Sequence, residues 1–64
     1  MCEAAVFMVD DSGKEDLVLG EVDLIEPTDD GQIRMVSIFG EQKLVRARIK
    51  STNLSEHKVF LSPM

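Results

Sequence analysis

Apolar positions along the chain fall into short runs separated by turn chemistry. Residues 2–9 (CEAAVFMV) make the first run. The cluster Asp10-Asp11-Ser12-Gly13-Lys14 follows it, rich in residues that tolerate left-handed backbone or hydrogen-bond their own chain. Residues 16–25 (DLVLGEVDLI) carry Gly20 in their middle, which predicts a bulge or bend, so this run is one bent strand or two short ones. Pro27 ends pairing inside the second turn, residues 26–32. Residues 33–39 (IRMVSIF) and 42–50 (QKLVRARIK) flank Gly40-Glu41, a Gly-X step that predicts a two-residue type II′ hairpin. In the second of these runs Val45, Ala47 and Ile49 alternate with Arg46, Arg48 and Lys50, the period of a half-buried strand. Residues 51–56 break that period, and residues 57–62 resume it with Val59 and Leu61 on one side.

No window of helical length carries an apolar stripe of period 3.6. Five or six short strands, with turns roughly every eight to twelve residues, predict an all-β fold: an antiparallel meander curled into a small β-barrel, residues 1–64 forming a single domain. Left partly open, such a barrel keeps an edge strand, which the first or last run of a second copy would cover across a two-fold axis.

Length changes the picture by limiting the core. A chain of 64 residues is marginal as a monomer and normally needs a disulfide, a metal or an oligomer interface. Its single cysteine cannot form an internal disulfide, which leaves metal and self-association and points to a reducing compartment. Twelve acidic against seven basic residues give a net charge of −5, which disfavours non-specific binding to phosphate backbones or anionic membranes. No apolar run approaches the roughly 20 residues of a bilayer span. The start MCEAAVFMVDD lacks the basic region of a signal peptide, so a cytoplasmic protein is expected.

Candidate chemistry is sparse. Cys2 and His57 form the one conceivable nucleophilic pair, but they sit in unrelated sequence contexts. The carboxylates cluster in turns, the glycines stand alone, and so small a core has little room for a pocket of about 300 Å³. No enzyme is expected. Cys2 is the unusual feature, because a thiolate suits nickel, copper(I) or zinc, and a cysteine beside a chain terminus offers sulfur and nitrogen from one residue. Two chains about a two-fold axis would supply two sulfurs and two nitrogens, a square-planar set for nickel(II) or copper(II), where zinc prefers a tetrahedron. Against this stands a plain reading of Cys2 as a small hydrophobe opening a strand. His57, the sole imidazole, is either an additional ligand or a packing residue after a turn.

The opening Met1-Cys2-Glu3-Ala4 resembles the start of CooT-type nickel-binding proteins, accessory proteins of nickel insertion into carbon monoxide dehydrogenase. The likeness continues through Val22-Asp23-Leu24-Ile25-Glu26-Pro27 and is most specific at Ile38-Phe39-Gly40-Glu41-Gln42-Lys43 and Arg46-Ala47-Arg48-Ile49-Lys50. It ends with Asn53-Leu54 and His57-Lys58-Val59-Phe60-Leu61. What the resemblance implies is a small Sm-like or SH3-like barrel and a homodimer that holds nickel through Cys2 of both chains. A metallochaperone or nickel-buffer role follows, with a nickel enzyme or its maturation proteins as partner.

Two other functions compete. Arg46, Arg48 and Lys50, with Arg34 and Lys43 nearby, form a basic face that would track phosphates in a Sm-like RNA-binding protein. The plainer account of that face is solvation and pairing with carboxylates, and the only aromatics for base stacking are Phe7, Phe39 and Phe60, which suit a core or an interface. A structural or protein-interaction module with an incidental Cys2 is the third reading.

Overall fold

The structure, a computed structural model, describes residues 3–64. Five strands follow one another: β1 (Ala4–Val9), β2 (Glu15–Pro27), β3 (Gln32–Ser37), β4 (Gln42–Asn53) and β5 (Lys58–Pro63). Each pairs antiparallel with the next, and β1 pairs in parallel with β5 to close a barrel. The expected small all-β barrel is present. The expected open edge is not, because pairing from Ala5↔Lys58 to Met8↔Leu61 occupies the outer sides of the first and last strands. A closed sheet offers no bare strand for a second copy to extend, so self-association has to use faces.

Alternation decides what lies inside. β3 buries Ile33, Met35 and Ser37 and turns Arg34 and Val36 outward. Val6, Leu19, Val22, Ala47, Val59 and Leu61 complete the core, an aliphatic filling in which Met35 and Leu61 are wholly buried. Small barrels are filled by side chains in this way and enclose no channel. The three phenylalanines stand outside this core. Phe7 and Phe60 stack on the outer surface with centroids 5.7 Å apart, and Phe39 is 79% exposed at the tip between β3 and β4.

Two bulges bend the long strands. The predicted irregularity around Gly20 is there, and the left-handed backbone falls on its neighbour Glu21, at φ 54°. It lets β2 pair with β1 through its first half and with β3 through its second, as one bent strand. In β4 the register slips between Ile49 and Ser51, which leaves Lys50 as the extra residue. The slip shifts the alternation without ending the strand, so β4 runs to Asn53 and not to residue 50.

The four hairpin turns share one construction. Gly13, Gly31 and Gly40 each donate their N–H back to the carbonyl three residues earlier, at 3.0, 3.4 and 3.0 Å, and each has φ between 82° and 88°. The residue that opens each turn donates to the carbonyl four residues on: Asp10 to Lys14 at 3.0 Å, Thr28 to Gln32 at 2.8 Å and Ser37 to Glu41 at 2.8 Å. This is a three-residue loop with a type I turn and a left-handed glycine. It replaces the two-residue type II′ hairpin expected at Gly40-Glu41: Gly40 closes the loop, where a type II′ turn has its glycine first. Side chains brace these loops. The Ser37 hydroxyl, buried, accepts the N–H groups of Phe39 and Glu41, both at 3.2 Å. In the fourth turn His57 donates to Leu54 at 3.3 Å and holds φ 58°, the backbone state that glycine takes elsewhere.

Candidate metal centre at the barrel mouth

Cys2, the predicted ligand, lies outside the described residues. Its sequence neighbour Glu3 stands on the rim of an open groove of about 340 Å³ at one end of the barrel. The expectation that so small a chain leaves little room for a pocket is thus corrected, since five strands and a loop leave this mouth unfilled. Its apolar lining is Ala4, Val22, Ile25, Leu54 and Val59, and its polar lining is Glu3, Asp23, His57 and Lys58.

Local structure explains this grouping. Ala4 pairs with Val22, and the Ala5 N–H donates to the His57 carbonyl at 2.9 Å, which brings the start of β1, the middle of β2 and the turn before β5 together. Val22 and Val59 belong to the core and form the floor. Leu54, in the turn above, is 80% exposed although it lines the groove. The structure therefore places His57 near the residue that follows Cys2, which spacing in the sequence did not disclose. Its left-handed backbone costs on the order of 1 kcal/mol for a residue with a Cβ, and glycine would avoid it.

Among the described residues, no group of three His, Cys, Asp or Glu side chains is arranged to hold a metal ion. A metal site in this chain therefore has to draw on Cys2 or on a second chain. The chemistry of the donors suits that: a thiolate with nitrogen ligands matches a borderline metal, where carboxylates alone would favour a harder one.

The basic face is arranged differently from its appearance in the sequence. Arg46 and Arg48 are exposed on β4, while Lys50, in the bulge, lines a separate cleft with Val9, Glu15 and Phe60. Arg46 donates to the Asp30 carbonyl at 3.3 Å, and Arg34 pairs with Glu26 at 2.6 Å. The two perturbed carboxylates lie in turns. Asp10 is held below its ordinary value of 3.8 by the Ser12 hydroxyl and then by the Lys14 N–H. Asp30 is lowered chiefly by the Thr28 hydroxyl, with a smaller contribution from Arg46. Both are solvent-facing parts of the turn scaffold.

A five-stranded closed barrel with no ligand cluster of its own among the described residues, and a groove beside its first residues, fits a carrier or accessory protein better than a catalyst. The chain belongs to the family described as CO dehydrogenase accessory protein CooT, which it matches over residues 1–62. This is a family of accessory proteins to a metalloenzyme and not the enzyme itself. A crystal structure of a protein assigned as CooT, from Carboxydothermus hydrogenoformans, superposes with a TM-score of 0.89 at 38% identity, covering 98% of both chains. No curated protein matches the chain. None of the described helices or strands is a helix long and apolar enough to cross a membrane.

Proposed function

We propose that this protein binds nickel as cargo through Cys2, two chains contributing their cysteines to one ion, and delivers or buffers it for maturation of a nickel enzyme such as carbon monoxide dehydrogenase in the cytoplasm. The observation that carries the reading is that the match to the accessory family includes residue 2, where the chain has its only sulfur nucleophile. The lack of a three-ligand cluster among the described residues supports it, because it leaves Cys2 as the donor around which a site has to form. A thiolate must lose its proton to bind, so affinity falls as pH drops below the thiol range.

The test is a nickel titration of anaerobic, untagged protein followed by absorption spectroscopy and native mass spectrometry. One nickel per two chains is expected, with a thiolate charge-transfer band that disappears in Cys2→Ser while the melting temperature stays unchanged. Binding that survives Cys2→Ser, or no binding at micromolar nickel, overturns the reading.

A further inference from the structure

The groove at the barrel mouth has features that a carrier's interior does not require. It is apolar at its floor, it is overhung by an almost fully exposed leucine, and its rim is divided by charge. Glu3 and Asp23, on the β1–β2 side, are acceptors; His57 and Lys58, on the turn and β5 side, are donors. In a chain with net charge −5 this balance of two against two is local. A surface that carries its acceptors on one half and its donors on the other is complementary to itself after a two-fold rotation, which is the condition for an isologous contact. The barrel is closed, so strand addition is unavailable and a face of this kind is the remaining means of pairing.

We propose that the groove is where a second copy of this chain docks, Leu54 of each copy entering the other's apolar floor and Glu3 and Asp23 of each meeting His57 and Lys58 of the other. The proposal rests on the shared-nickel reading for its expectation of two copies, and it deepens that reading by naming the face that brings the two Glu3 rims, and so the sequence neighbours of Cys2, toward each other. Lys58 is available for this role. Its ammonium lies 3.9 Å from Glu56 and 5.9 Å from the Phe7 ring centroid, loose surface contacts that a rotamer change exchanges for a carboxylate.

Sedimentation equilibrium of the metal-free full chain tests it. Wild type is expected to dimerise, and Leu54→Asp to weaken the dimer by about 30-fold or more, the scale of an interface anchor. Leu54 is exposed in a turn, so its variant should melt as wild type does. Lys58→Glu is expected to weaken the dimer, and adding Asp23→Lys to it to restore part of the loss. Phe39→Ser, exposed on another loop, should leave the dimer unchanged. A dimer indifferent to both Leu54→Asp and Lys58→Glu, or a wild-type monomer with and without nickel, overturns the docking face. The nickel titration separates the two readings. A Cys2-dependent nickel signal in a dimer that ignores Leu54 overturns the face alone. A Leu54-dependent dimer that binds no nickel supports the face and overturns the metal reading.

Discussion

Inside the barrel, Val6, Met35 and Leu61 are sealed from water, and every buried side-chain polar atom among the described residues has a hydrogen-bond partner. At the mouth, a few ångströms from that core, Leu54 stands in solvent, His57 holds a backbone conformation that suits glycine, and a groove remains unfilled. The interior follows the rules that stabilise a small fold, whereas the mouth departs from them on several counts at once. Departures of this sort concentrate where a surface has work other than stability, and the surrounding structure has to tolerate them.

The largest effect expected from breaking this contrast lies in the interior. Met35→Ala empties a fully buried position at the centre of the core and should destabilise the fold by about 2–5 kcal/mol, measured by urea unfolding. A loss near zero would mean that the core collapses around the gap and is less rigid than its burial indicates.

An intermediate effect, of opposite sign, belongs to the mouth. His57→Gly gives the fourth turn the residue used by the other three and should raise stability by about 0.5–1 kcal/mol, since relief of left-handed strain outweighs the added freedom of glycine in the unfolded chain. A matched Gly40→Ala should lose about 1 kcal/mol at the same backbone state. If His57→Gly destabilises instead, the imidazole makes contacts whose value exceeds the strain.

The smallest effect is electrostatic and confined to the turns. Asp10 and Asp30 have folded values below the ordinary 3.8, so each stabilises the fold above that value. Their contribution is lost as pH falls from 3.8 through the lower folded values, and both groups are solvent-exposed, so the change is slight. Melting curves at stepped acid pH should show a shallow decline in that window, reduced in Asp10→Asn.

How far these regions were legible in the sequence follows from the range of the forces that shape them. The alternation in β3 and in the first half of β4 is local, and it correctly placed Val45 and Ala47 on the inner face and Arg46 and Arg48 on the outer. The bend at Gly20 was legible for the same reason. The Lys50 bulge was not, because a one-residue slip mimics the end of a strand when only periodicity is read. The turn at Gly40 was placed in the right segment with the wrong type; a comparison of Gly13, Gly31 and Gly40, each three residues after Asp10, Thr28 or Ser37, carried the missing signal. Closure by β1 and β5 joins residues with no local cue that they meet. The groove, and the approach of His57 to the start of β1, depend on that closure and were hidden with it. Cys2 stood out in the sequence by its chemistry alone, and its placement lies outside the described residues.

The parallel ladder between β1 and β5 also orders events in time. Ala5 and Met8 find their second neighbours only after Lys58 and Leu61 have been synthesised, so a ribosome must deliver nearly the whole chain before the ring can close. Until then the first strand is paired on one side at most, by β2. Contacts this distant in sequence are slow to form, and barrels dominated by them fold in milliseconds to seconds. During that interval the groove does not exist, because two of its walls are the ends that have yet to meet; the surface that recruits a partner is therefore the last part of the molecule to be made, and only completed barrels are competent to associate through it.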